Sequence, residues 1–321
     1  MTPGRGSGRV RRVDRRAVLL GGVGLGLVGC GVGGPAGVVR IAAGEPGGFY
    51  VEFADLLAAQ LAEVAPGLDV RVVTTGGSAD NLTLLAARRA DLGLVLADVA
   101  TAARTGTAPF RAPASIRAVG RVYENYMQLV VLRDSPVRTV TELTGRRISL
   151  GANGSGAAIF GDRLLAATGM TAAIDHRPLT EAVTELTAGR IDALLWSGGV
   201  PTPALAELSR RHPIRLISLA DALSALRAAH GTGYDRVTVP DGGYGQPGRL
   251  DTIGVPNLLV CDRSLGDELV ATVAEVLVRH APRLVPPQAL GTQYLDQRSL
   301  IVTGAVPLHP GAATAYRSLR D

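Results

Sequence analysis

Three short stretches of this 321-residue chain combine glycine with small polar residues where a strand would hand over to a helix. They are Gly44-Glu45-Pro46-Gly47-Gly48-Phe49-Tyr50, Thr74-Thr75-Gly76-Gly77-Ser78-Ala79-Asp80-Asn81 and Gly151-Ala152-Asn153-Gly154-Ser155-Gly156. The chemistry they offer is non-covalent. The first N–H groups of a helix have no partner inside it, and the aligned peptide dipoles make that end positive, so each turn can receive an anion. Glycine at such places can also serve only to permit positive φ, and serine only to cap the helix. Three turns in equivalent positions favour binding: a small carboxylate between them would be held from both sides.

The candidate contacts follow from these turns. Gly48 and Gly77 let backbone approach a ligand, and Tyr50 can offer a phenolic hydroxyl beside the first turn. Ser78 and Asn81 stand on the first turn of the second helix, and Asn153 and Ser155 are their counterparts in the third stretch; each can hold a carboxylate or cap a helix. Asp98 and Glu124 could receive an ammonium group or pair with an arginine as structural acids. Trp196, the only tryptophan, precedes Ser197-Gly198-Gly199 and serves as a cleft wall or a core residue. Tyr244, within the glycine-rich Asp241–Gly248, could close the site from one end.

Other chemistries lack their residues. All 33 basic residues are arginine, so there is no phosphate-loop lysine, Schiff-base lysine or Ser-Lys dyad. His176, His212, His230, His280 and His309 are scattered, with no metal-binding spacing, and Gly-x-Ser-x-Gly does not occur. No metal and no cofactor is expected, and no enzymatic activity. Six of the arginines lie before residue 30 against Asp14 alone, which leaves 27 arginines and 27 acidic residues in the remainder. That neutral body offers no general footprint for nucleic acid. An aromatic content of 4% argues against a sugar site, which would stack rings on several aromatic side chains.

The elements that must position these residues are legible in the hydrophobic pattern. Strands are expected at Val38–Ala43, Asp69–Thr74, Leu92–Leu96 and Ile116–Val122, with helices near Phe49–Val64 and Ser78–Arg88. A second set follows: strands at Arg146–Leu150, Asp175–Pro178, Ile191–Trp196 and Ile214–Leu219, and helices near Ser155–Thr168, Glu181–Ala188 and Pro203–Arg211. A strand at Thr252–Val260 and a helix near Leu265–His280 close the pattern. Alternation of this kind implies parallel βαβ units in an α/β fold, with ligands bound beyond the carboxyl ends of the strands.

Residues 1–16 are Arg-rich and residues 17–29 apolar but short, the pattern of an export signal rather than a membrane span. Leu27-Val28-Gly29-Cys30 resembles the lipobox of bacterial lipoproteins, in which cleavage leaves a lipidated cysteine, here Cys30, and Arg15-Arg16 is similar to a twin-arginine signal. Residues 1–29 then read as a lipoprotein signal peptide and residues 30–37 as a tether. The expected location is the outer face of the cell membrane, held by lipid. Cys261, the other cysteine, ends an apolar run and is expected to be buried.

Residues 38–320 resemble the TAXI family, the solute receptors of TRAP transporters. The resemblance rests on an ordered set: Gly47-Gly48-Phe49-Tyr50, Thr75-Gly76-Gly77-Ser78-Ala79-Asp80-Asn81, Ala97-Asp98-Val99-Ala100, Tyr123-Glu124, Gly154-Ser155-Gly156, Gly199-Val200-Pro201-Thr202-Pro203, and Leu308-His309-Pro310-Gly311-Ala312. It departs at Val51-Glu52-Phe53, at Ala157 and at Gly245. The resemblance implies a two-lobed periplasmic-binding-protein fold of type II with a hinged cleft. Residues 38–126 would form lobe 1, 127–250 lobe 2 and 251–321 a return to lobe 1, with Tyr123 and Glu124 near the crossing. It further implies a monomer that captures a small organic acid or acidic amino acid and delivers it to a TRAP permease. A receptor for an ABC permease and a tethered sensor are alternatives on the same framework.

Overall fold

The computed structural model describes Met1 and residues 34–319. Residues 2–29 of the signal peptide, Cys30 and tether residues 31–33 lie outside the described residues. No helix among the described residues is long and apolar enough to cross a membrane.

The first half alternates as βαβ units: β1 (Gly37–Ala42), α1 (Phe49–Val64), β2 (Leu68–Val73), α2 (Ser78–Ala86), β3 (Leu92–Leu96) and α3 (Ala97–Thr105). The long β4 (Ile116–Leu132) leads into β5 (Arg147–Ser149), α4 (Gly156–Thr168), β6 (Ala173–Asp175), α5 (Leu179–Thr187), β7 (Ala193–Gly198), α6 (Pro203–Arg211), β8 (Ile214–Ile217), α7 (Leu223–His230) and β9 (Asp235–Val239). The chain returns through β10 (Leu250–Asp262) and ends with α8 (Asp267–Arg279), α9 (Gln297–Leu300) and α10 (Pro310–Ser318).

Pairing explains the two-lobed shape. β1 lies between β2 and β3, parallel to both, and β5 between β6 and β7, again parallel. Two long strands join these groups. β4 pairs with β10 through Ile116–Tyr126 and then with β7 through Tyr126–Val130, while β10 pairs with β9 at Leu250–Gly254 and with β3 at Asn257–Cys261. The passage between lobes is therefore a change of strand partners inside two continuous strands, antiparallel to each other.

Each lobe closes on its own apolar faces. α1 buries Phe49, Phe53, Leu57 and Leu61, a helical stripe, against α8 residues Val270, Val273 and Leu277. In lobe 2, Leu179, Ala182 and Leu186 of α5 pack with Leu205 and Leu208 of α6. Cys261 is buried in the first core, and burial pushes its thiol up to about 12.

The α/β alternation is as expected, and α1, β3 and α6 have the expected ends. The differences have physical causes. β4 does not stop at Val122: Glu124, Asn125 and Gln128 look like a break in an apolar pattern but lie buried within the strand. β6 precedes the expected strand at Asp175–Pro178, because Pro178 fixes its own φ and starts α5. Three-residue β5 is shorter than Arg146–Leu150, and α3, which follows β3 without a loop, has no counterpart in the pattern.

Candidate functional site

The three glycine-rich turns meet. Between the lobes lies a cavity of about 30 Å³, lined by Gly48 and Tyr50 from the first turn, Gly77 and Ser78 from the second, Ser155 from the third and Trp196 from the end of β7. Six residues singled out in the sequence thus come to one place. The local causes are plain: Gly77 has φ of +124°, where a side chain is strained, and Ser155 caps α4 by accepting the Ala158 N–H at 3.0 Å.

The polar groups inside are few and mostly neutral. The Tyr50 hydroxyl lies 3.5 Å from Ser78 Oγ and accepts from Asn125 Nδ2 at 3.3 Å, while Ser78 Oγ accepts the Leu96 N–H at 3.2 Å. Burial pushes the Tyr50 phenol up, so it stays protonated. The Trp196 indole donates to Thr202 Oγ1 at 3.0 Å, and the Thr202 N–H donates to the Tyr244 hydroxyl at 2.7 Å. The Tyr244 hydroxyl in turn donates to Gln128 Oε1 at 2.5 Å, and burial pushes it up to about 12. Tyr244 therefore stands behind the cavity wall and reaches Trp196 through Thr202.

Five further residues stand outside the cavity. Asn81 is a brace: its Nδ2 donates to Ala43 O at 2.5 Å and Leu94 O at 2.7 Å, and its Oδ1 accepts from the Thr75 hydroxyl at 2.6 Å, tying the end of β1 and the middle of β3 to the second turn. Tyr123 is enclosed in the core, its ring 4.8 Å from Phe49 and 5.3 Å from Phe53. Glu124 accepts from the Tyr294 hydroxyl, and burial pushes its carboxyl up to about 7. Asn153 is exposed. Asp98 accepts from Arg163 Nη1 at 2.5 Å and from the Tyr234 hydroxyl at 3.0 Å.

Two charged residues escaped the sequence reading. Four arginines lie in or next to strands: Arg71, Arg121, Arg146 and Arg147. Arg71 pairs with Asp69, Arg146 and Arg147 with Asp192, and Arg121 lies 3.7 Å over the Tyr294 ring. The shielded arginine is Arg163, and nothing in its helical context marks it. Glu45 is 7% exposed and lines the cavity, with Oε2 accepting the Leu179 N–H at 2.5 Å. Its signal was an acid inside an otherwise small, glycine-rich turn.

The lobes are drawn together. Ala79 N donates to Gly154 O at 3.1 Å, Ala204 N to Gly47 O at 3.3 Å, and the Glu45 and Asp98 bonds also cross the cleft. A Cβ on Gly199 would stand 2.5 Å from the Phe49 ring, and one on Gly156 2.4 Å from Leu96. Beyond the Asp98–Arg163 pair a broader groove of about 920 Å³ runs past Ile159, His230 and Pro109. It holds none of the three turns, so the small cavity is the better candidate despite its size.

The family model of the NMT1-like family matches residues 41–318. The periplasmic binding protein BugD is similar in structure with a TM-score of 0.56 at 14% identity, over 89% of this chain and 97% of that one. A protein of Bordetella bronchiseptica RB50 gives 0.55 at 15% identity, over 88% and 98%. A structure described as a periplasmic transporter gives 0.52 at 15% identity, over 89% and 93%. The fold is that of the two-lobed type II periplasmic binding proteins.

Proposed function

The chain belongs to the NMT1-like family, and on that premise we propose that it is an extracytoplasmic receptor that closes two lobes on a small organic acid or amino acid and hands it to a membrane permease. The observation that carries this reading is the convergence of Tyr50, Gly77, Ser78, Ser155 and Trp196, drawn from both lobes, on one cavity beside the N-termini of α2 and α4. Those helix ends suit a carboxylate, and the surrounding hydroxyls are neutral donors and acceptors.

The cavity of about 30 Å³ has room for a water-sized guest, far below the roughly 300–1,000 Å³ of small-molecule sites. Capture on this reading therefore requires the lobes to part. Opening strains or breaks the cross-cleft links at Ala79, Ala204, Glu45, Asp98 and Val200, and the ligand replaces some of them on closure. It shifts the population by its differential affinity for the closed form.

The ordered motifs shared with TAXI receptors favour a TRAP permease as the recipient. The leader favours export with lipid on Cys30 and a tether through residue 37, ahead of lobes at 38–126 with 251–321 and at 127–250. Intact mass of the membrane-extracted protein tests the lipid. A thermal-shift series with four- to six-carbon carboxylates and amino acids tests the receptor, because a ligand bound to the native state raises the melting temperature by mass action. A shift with at least one compound is expected, weakened about 10- to 100-fold in affinity by Tyr50→Ala with Ser78→Ala. A shift with a neutral sugar and with no carboxylate overturns the ligand class.

A further inference from the structure

We propose that Glu45 receives the ammonium group of a zwitterionic ligand, so that the receptor takes amino acids in preference to the same carbon skeletons without the amine. The inference rests on the receptor reading above and names its substrate class. Two acids suited to this part in the sequence are committed elsewhere: Asp98 to Arg163 and Tyr234, Glu124 to Tyr294. Neither lines the small cavity.

Glu45 does line it, and it is the acid that does so among the described residues. The residue is 7% exposed, and no basic side chain pairs with it among the described residues. Oε2 is held by the Leu179 N–H at the start of α5, with the Ala152 amide also facing the carboxyl. Oε1 is buried with no hydrogen-bond partner. A carboxylate oxygen enclosed without a donor is expensive unless a donor arrives, and an ammonium group supplies both the proton and the opposite charge.

The rest of the cavity is complementary. The N–H groups of Ser78 and Gly156, at the facing starts of α2 and α4, take no acceptor among the described residues. A ligand carboxylate placed on these amides leaves its amine for Glu45, so the cavity presents donors on one side and an acceptor on another. Holding α5 needs only one oxygen of Glu45, which the amide oxygen of glutamine could supply equally well; the second oxygen and the charge are what that role leaves over.

The test measures binding of matched pairs to the purified full chain by calorimetry: L-glutamate against glutarate, L-aspartate against succinate, and L-leucine against 4-methylpentanoate. At least one amino acid is expected to bind about 30- to 100-fold more tightly than its partner. Glu45→Gln keeps the acceptor for Leu179 and should reduce that ratio to about threefold or less, a change that loss of a merely structural contact would not produce. Equal binding of the partners to the unaltered protein overturns the assignment while leaving the receptor reading in place, and needs no variant to fold. An unchanged ratio in Glu45→Gln also overturns it. Absence of binding by every compound overturns the receptor reading for carboxylates, and the Glu45 assignment with it.

Discussion

The two lobes touch in two unlike ways. Where the second turn meets the third and the first meets the start of α6, the contact is bare backbone: Ala79 N to Gly154 O and Ala204 N to Gly47 O, with Gly156 and Gly199 placed where any Cβ would collide. On the side of α3 and α4 it is ionic, with Asp98, Arg163 and Tyr234 mutually bonded and the two charged side chains 5% and 14% exposed. The first kind is neutral and depends on shape, so it can be broken and remade around a guest at little electrostatic cost. The second concentrates its energy in one shielded pair, which punishes separation or the loss of a partner.

Arg163→Met should have the largest effect, about 3–5 kcal/mol of lost stability, because it leaves the Asp98 charge buried with only the Tyr234 hydroxyl and the Val99 N–H as donors. Asp98→Leu with Arg163→Met should recover most of that loss, and urea unfolding of the two variants measures the difference. Equal destabilisation of both would mean that the pair acts through packing rather than charge.

Glu124 sharpens the contrast, being a buried acid held by a phenol instead of a guanidinium. Its carboxyl is pushed up to about 7, first by burial and then by the charge of Asp235. Between the unfolded value of about 4.3 and pH 7 the native state keeps a proton that the unfolded chain has released. The stability it contributes is full below that lower value and is lost as pH rises through 7, a fall of up to about 3 kcal/mol. Glu124→Gln retains an acceptor for Tyr294 and should flatten this slope, as followed by melting temperature from pH 4.5 to 7.5.

The neutral contact should respond to bulk alone. Gly199→Ala places a methyl group 2.5 Å from the Phe49 ring and should cost about 1–3 kcal/mol of closure. Small-angle scattering should then show a larger radius, and ligand affinity should fall roughly 5- to 150-fold. The smallest effect, about 1 kcal/mol, is expected for Thr202→Val, which removes the acceptor of the Trp196 indole. Trp196 is the only tryptophan, so its emission reports the change directly.

Much of this was legible along the chain. The stripe Phe49-Phe53-Leu57-Leu61 predicts α1 to the residue, and Pro203 marks the start of α6. The three turns pointed to the cavity, and six candidates reached it. Of the others, Asp98 has the arginine partner that was one of its two expected roles, whereas Asn81 and Tyr123 are held away from the cavity. Asn81 turns back to bind Ala43 and Leu94, and Tyr123 points into the aromatic core rather than the cleft.

The division has a physical reason. Helix periodicity, caps and positive-φ glycines depend on residues a few positions apart, so the α/β alternation and the placing of the turns at strand ends were decided by sequence alone. Which side chain meets which was decided by tertiary structure. Glu45 finds Leu179 across 134 positions and Asp98 finds Arg163 across 65, and such pairs exist only when two lobes pack and shut water out, a condition that no short stretch of chain can impose on itself.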